Sequence, residues 1–531
     1  MRWILGCLLF GVLVIGEDAG AQEGSDSGVL SQDEIVRLRG EAAGRDRRII
    51  FDNDGNEVVY YMDEATPEAL LKKRTTGVVG TQVDTIVYCT WSSGFSYFTH
   101  NTKVGVPFVS TAIDPEAGAG SGFAKNKTQA LLDKGLDPIT IVSDYCREHD
   151  IEFIWSMRMN DIHDAWGAWY SPHLFPPIKQ EHPEYLVGSR DNVPPNGTWS
   201  SVDYAVDEIR DLAFKFFEEV CQNYDVDGVE LDFFRHPVYF KSYAFDGQAT
   251  DEELAMMTDL VKRIRVMADL EGAKRGKPIL LSIRVPDSLT FCKDMGLDIE
   301  RWLADDLVDL MVVSGYFRFN AWEESVALGH KYGVPVYPCL SESRIRDEEA
   351  KRVRSTPEAY RARAMDVWKS GADGVYMFNF FAAPHPLWSE LGDVETLARL
   401  DKDYTTGARG IKELAYWNKA GLDYLRRELL SPERPIHVKY EEDLEVALRI
   451  DVPEQGAEVT LKVRSDRKDA REFLVVQLNG TVLKEAGTQE NWVKYAVDPG
   501  EILQGWNAVS FTLSHLSDAV KIEDMVLSVR Y

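Results

Sequence analysis

Short apolar runs and longer amphipathic stretches take turns along most of this chain. Runs at residues 85–90, 153–158, 228–233, 279–285, 308–314, 334–340 and 374–380 are rich in β-branched and aromatic residues and bounded by turn formers, so they read as strands. Between them, stretches such as 203–223, 251–271 and 357–370 carry apolar residues at helical spacing. A further strand is expected in the weakly patterned region before Ser201. Strand and helix alternating in this way predict an α/β fold, a (β/α)8 TIM barrel over residues 84–402. No glycine-rich dinucleotide fingerprint follows any of the strands, which disfavours an open nucleotide-binding sheet.

The pattern changes at both ends. Residues 22–83 are polar and acidic, with a helix expected at 33–41 and a strand and turn at 48–55; they read as an N-terminal extension packing on the barrel. Residues 411–430 look helical and place a helical linker at 403–434. From 435 to 531 come short alternating segments, at 444–450, 459–463, 473–478, 492–497, 508–513 and 525–529, separated by turns such as Asn479-Gly480. These predict a C-terminal all-β sandwich of jelly-roll type.

Composition narrows the class. The chain has 531 residues, 44% hydrophobic and 11% aromatic, enough for two cores. Arg2, the apolar run 3–15 and the small residues Ala19-Gly20-Ala21 read as a signal peptide over residues 1–21, which implies a secreted or periplasmic protein. No later segment is apolar enough for a membrane span. Cleavage would leave Cys89, Cys146, Cys221, Cys292 and Cys339, an odd and irregularly spaced set that suits buried thiols better than a disulfide framework. A net charge of −28 argues against nucleic acid as a partner, though a local cationic site on an acidic protein can still take an anionic substrate.

The chemistry concentrates at strand ends, where barrels of this kind build their sites. In the run at 228–233, Glu230 and Asp232 share one face while Val229, Leu231 and Phe233 share the other. Asp161, Asp287 and Glu342 lie at or just past other strand ends, and so do Arg158, Arg235, Arg284, Arg318 and Arg344. Paired acids suit glycosidic cleavage, which needs one carboxyl to protonate the leaving oxygen and another to attack or to activate water. The arginines either neutralise the barrel's own acids or bind sulfate and carboxylate groups by forked hydrogen bonds. His163 and His236 suit hydrogen bonding to sugar hydroxyls or orientation of a carboxylate. Metal-ligand spacing is lacking around Asp161, His163 and Asp164, so neither metal nor cofactor is expected. No Gly-x-Ser-x-Gly elbow is present.

Two runs, Arg158-Met159-Asn160-Asp161-Ile162-His163-Asp164 and Asp227-Gly228-Val229-Glu230-Leu231-Asp232-Phe233-Phe234-Arg235-His236-Pro237, resemble the glycosyl-hydrolase-like family 10 proteins, secreted bacterial barrel proteins of polysaccharide degraders. The resemblance spans residues 84–386 and implies a barrel glycosidase. The chain departs from true family 10 xylanases, with no Asn-Glu pair ending the Gly228 strand. It departs from chitinases too, with Phe234 where their glutamate stands. The combined expectation is a glycoside hydrolase acting on a polysaccharide, with sulfated or uronic-acid chains preferred. Asp232 is the expected nucleophile or base and Glu342 the general acid, with Glu230 and Asp161 in reserve. Trp91, Arg158, Asn160, His163, Trp166, Arg235, His236, Arg284, Tyr316 and Asn379 are the expected substrate contacts. A non-catalytic carbohydrate-binding barrel and a polysaccharide lyase remain open.

Overall fold

The computed structural model describes residues 29–118, 120–515 and 519–531. The leader read at residues 1–21 lies outside them. Eight parallel strands close into one barrel: β1 Ile49–Asn53, β2 Val83–Cys89, β3 Glu152–Arg158, β4 Gly228–Asp232, β5 Leu280–Val285, β6 Leu310–Val313, β7 Val336–Ser341 and β8 Val375–Phe378. The seven strands expected from periodicity all form. The eighth is not before Ser201. It is β1, inside the stretch assigned to an N-terminal extension, and it closes the ring by pairing Ile49 with both Val83 and Val375. The barrel therefore begins well before residue 84. The reason is physical: Ile49, Ile50 and Phe51 are fully buried and supply the apolar strand that β2 and β8 need between them.

The helix Gln32–Ala43 lies at the end of the barrel where the strands begin. Its Arg39 reaches Asp269 and Asp309, and Arg47 just after it forks onto Glu152 of β3 through Nε and Nη2, both at 2.7 Å. The long outer helices Asp207–Asn223 and Asp251–Arg275 bury apolar faces against the strands, and Thr250 with Glu253 forms a capping box at the start of the second.

The remaining strands are β9 Lys402–Tyr404, β10 Ile436–Val438, β11 Leu444–Ile450, β12 Glu458–Ser465, β13 Leu474–Leu478, β14 Thr481–Val482, β15 Lys484–Gln489, β16 Trp492–Val497, β17 Gly505–Leu513 and β18 Val520–Arg530. They form two antiparallel sheets, one built on β10, β18, β12, β16 and β15 with β9 alongside β18, the other on β11, β17, β13 and β14. Inward residues of both sheets, among them Leu448, Val509 and Phe511 against Leu461, Tyr495 and Leu527, share one core, which makes a sandwich. Two expectations shift here. Residues 402–404 already belong to the sandwich, and the expected long linker helix reduces to Lys412–Trp417 and a 3-10 turn at Gly421–Tyr424. Among the described residues no helix is long and apolar enough to cross a membrane.

Candidate functional site

Parallel register stacks the inward residues of β3, β4 and β5 into layers. Ser156, Glu230 and Ser282 are register partners, and one step nearer the mouth so are Arg158, Asp232 and Arg284. In the lower layer Glu230 is fully buried. Its Oε1 accepts from Ser156 Oγ at 2.8 Å and from the Tyr376 hydroxyl at 3.2 Å, and Oε2 lies 3.3 Å from Ser282 Oγ. Burial pushes this carboxyl up to about 8, so it is protonated at neutral pH. Glu230 is thus a hydroxyl-bonded core acid below the mouth. It forms no ion pair among the described residues.

The next layer is ionic. Arg284 donates through Nε to Asp232 Oδ1 at 2.9 Å and through Nη2 to Oδ2 at 2.5 Å, while Nη1 reaches Asp52 Oδ2 at 2.7 Å across the barrel. Asp232 Oδ1 also accepts the backbone N–H groups of Phe234 and Arg235 at 3.0 and 2.9 Å. Burial pushes the Asp52 carboxyl up to about 7, with Asp54 and Asp232 adding to the shift and Arg284 opposing it. Asp52 lies in β1 and Asp54 just past its end, so the reading that began the barrel at residue 84 missed both. The signal was present in Ile49-Ile50-Phe51-Asp52-Asn53-Asp54-Gly55, an apolar strand leading into two acids on one face, as in β4.

From the same layer Arg158 Nη2 holds Asp54 Oδ1 at 2.6 Å, and Arg158 Nη1 lies 3.5 Å from Asp161 Oδ2. Burial alone would push the Asp54 carboxyl up, but Arg158, Arg235 and Arg74 hold it well below the usual carboxylate range. Asp161, also buried, accepts from Ser92 Oγ at 2.9 Å and from His163 Nδ1 at 2.8 Å. His163 is partly exposed and packs against Trp166, which stands half in solvent with its ring 4.6 Å from the imidazole. His236 is buried between Trp166 and Trp417, and burial together with His163 keeps its imidazole neutral. Around the rim Glu342 accepts from Arg344 Nε at 2.8 Å, Arg409 Nη2 at 3.4 Å and Asn379 Nδ2 at 3.3 Å. Tyr316 lies beneath them, its ring faced by the guanidinium groups of Arg344, Arg235 and Arg409 at 4.0, 5.2 and 5.2 Å. Arg409 and Trp417 follow the barrel in sequence and were not expected at the mouth.

Backbone strain gathers in the same place. Trp91, His236, Ser314 and Asn379, following β2, β4, β6 and β8, all have positive φ, between 54° and 74°. Non-glycine residues adopt this conformation at a cost of order 1 kcal/mol or more, and such residues cluster at functional sites.

Several expected contacts take other roles. Trp91 is 5% exposed and packs on Phe108 and Phe123, so it is a core side chain and offers no open face to a sugar. Arg158 and Arg284 are consumed by the barrel's own acids. Asn160 pins two loops by donating to the carbonyls of Val202 and Val238 and accepting from the Val202 N–H. Arg318 turns away to Asp366 and the face of Trp322, and Asp287 accepts three backbone N–H bonds from Phe319 and Asn320. Those brought together at the mouth are Asp232, Asp161, His163, Trp166, Arg235, His236, Tyr316, Glu342 and Asn379.

Asp161, His163 and His236 have ligand atoms within 4.8 Å of one another, a spacing that admits a metal ion. One nitrogen of each imidazole is nevertheless engaged: His163 Nδ1 bonds Asp161, the Ile162 N–H points at His236 Nδ1 at 3.4 Å, and the Arg158 guanidinium sits beside the same Asp161 oxygen. A dication placed there would face that guanidinium, so the arrangement suits a carboxylate-oriented imidazole better than an ion.

No family model matches the chain, and no curated protein matches it. The likeness of the two runs to the family 10-like proteins thus has no family model behind it. Among solved structures, the glycoside hydrolase domain of PgaB (BpsB) from Bordetella bronchiseptica aligns with 66% of this chain and 99% of its own, at 12% identity and a TM-score of 0.40. The GH36 α-galactosidase AgaA of Geobacillus stearothermophilus aligns with 94% of this chain, at 11% identity and a TM-score of 0.38, and this chain spans 58% of its length. The α-L-fucosidase isoenzyme 2 of Paenibacillus thiaminolyticus aligns with 66% of this chain and 48% of its own, at 12% identity and a TM-score of 0.37. Likeness at this level speaks to neither substrate nor mechanism.

Proposed function

We propose that this protein is an exported glycoside hydrolase that cleaves O-glycosidic bonds of a polysaccharide at the open end of the barrel. The observation that carries the reading is the pair of carboxyls flanking Arg284, one forked to the guanidinium and the other, Asp52, poised near neutrality. A carboxyl that holds a proton near neutrality, facing a second acid, is what glycosidic cleavage requires. Asp232 takes the role of carboxylate, attacking the anomeric carbon or drawing a proton from water. Glu342 was the sequence-based choice of proton donor, but both of its oxygens accept, from Arg344, Arg409 and Asn379, whereas at Asp52 the hydrogen bonding among the described residues falls on Oδ2 alone, from Arg284. The donor role is reassigned to Asp52, which gives its proton to the departing glycosidic oxygen. Glu342 and Asn379 then bind hydroxyls at the rim, and Trp166, exposed beside His163, offers a ring face to a sugar.

The test is product analysis on a panel of neutral and charged polysaccharides. New reducing ends without ultraviolet absorbance are expected. Absorbing unsaturated ends would mean a lyase, and binding without products a carbohydrate-binding barrel. Asp232→Asn and Asp52→Asn should each lower kcat by at least about a hundredfold, whereas Glu342→Gln should act mainly on KM. Full activity of Asp52→Asn would return the donor role to Glu342.

A further inference from the structure

Four of the five strand-end arginines find carboxylate partners within the protein. Arg158 holds Asp54, Arg284 holds Asp232 and Asp52, Arg318 holds Asp366, and Arg344 holds Glu342. Arg235 does not. Its side chain makes no hydrogen bond or salt bridge among the described residues, and Nε and Nη1 are both buried without an acceptor although the residue is only 7% exposed. The guanidinium instead lies 5.2 Å from the ring centre of Tyr316 and 5.5 Å from that of Phe378, so two aromatic faces support it. Asp54 responds to its charge but is bonded to Arg158. Buried donors without acceptors are destabilising, the more so when charged, and persist where a ligand supplies the missing acceptor.

We infer that Arg235 is the receptor for an anionic oxygen group on the substrate, a uronic-acid carboxylate or a sulfate ester carried by the sugar bound at the mouth. This deepens the glycosidase reading by naming the substrate class, and rests on it for the location of the sugar. The backbone makes the placement specific. Arg235 directly follows Phe234, and both of their N–H groups are tied to Asp232 Oδ1, so the guanidinium has a fixed position relative to the proposed reacting carboxylate. A forked donor matches a carboxylate or sulfate in its plane, and an ammonium does not.

The experiment is calorimetric titration of the full chain carrying Asp232→Asn, which stops turnover, with uronic-acid, sulfated and uncharged oligosaccharides, repeated with Arg235→Met and Arg235→Lys added. Charged oligosaccharides should bind, more weakly as salt rises. Arg235→Met should weaken them about 10–100-fold with the thermal midpoint held or raised, and Arg235→Lys should recover only part of the loss. Binding of a uronate that fades near pH 3–4 while a sulfate's persists tells the two groups apart. Preference for uncharged oligosaccharides, no binding by any charged one, or unchanged affinity in Arg235→Met each overturns the inference. Charged oligosaccharides that bind through Arg235 but are never cut by the native chain would overturn the hydrolase reading alone.

Discussion

Arg354 and Asp524 meet in a forked ion pair sealed between barrel and sandwich, with Nη1 to Oδ2 at 2.7 Å and Nη2 to Oδ1 at 2.6 Å. Arg464 with Asp347, Arg449 with Asp366 and the Trp492 indole N–H on Glu349 continue the seam. Arg354→Met leaves Asp524 buried and unpaired, a loss of roughly 3–5 kcal/mol. Urea unfolding should show it, and Arg354→Met with Asp524→Leu should recover most of it. An unchanged midpoint in the single variant would mean that the seam contributes nothing to stability.

Two tryptophans should separate stability from binding. Trp91→Ala removes a packed ring from the cluster with Phe108 and Phe123 and should cost about 3–5 kcal/mol of stability. Trp166→Ala, at a half-exposed site, should change stability by less than about 0.5 kcal/mol while raising KM or Kd for the oligosaccharide. Thermal melts and titrations of both variants check the contrast.

Glu230 gives a pH signature. Its carboxyl is raised from 4.5 to about 8, so between those values the folded protein holds a proton that the unfolded chain has released. Stability from this group is complete below pH 4.5 and is lost as pH rises toward 8. Glu230→Gln should flatten that part of the stability–pH curve and be the more stable form at pH 8. If hydrolysis also survives in Glu230→Gln, the residue is a supporting one.

Arg284→Met should act on both stability and pH dependence. Without the guanidinium, Asp232 and Asp52 lose their shared partner and the barrel should lose stability. Because Arg284 lowers the Asp52 carboxyl, any residual activity should persist to higher pH than in the native chain, where it is expected to fall above about pH 7. A pH–rate profile measured at saturating substrate tests this.

The strands were legible because buried parallel strands are continuous apolar runs, and the shared face of Glu230 and Asp232 followed from the two-residue period alone. β1 was read as a strand but left outside the barrel because it lies in a polar, acidic stretch ahead of the regular alternation; only the acids at its end, Asp52 and Asp54, resembled those of β4. Partnerships across the barrel were illegible in principle. Nothing local distinguishes Arg284, bound to Asp232 and Asp52, from Arg235, which has no such partner, since the difference depends on which strands face each other. Trp91 and Trp166 likewise look equivalent in sequence, and burial by a loop decides between core and rim.

Closure through β1 and β8 bears on how the chain must be made. The first strand to emerge from the ribosome is a neighbour of the last, so one edge of Ile49–Asn53 stays open until Val375–Phe378 has been synthesised. A nascent chain halted before that point carries an unpaired apolar edge. Such fragments are natural clients for holding chaperones, and stalled synthesis should yield aggregates in place of smaller working barrels.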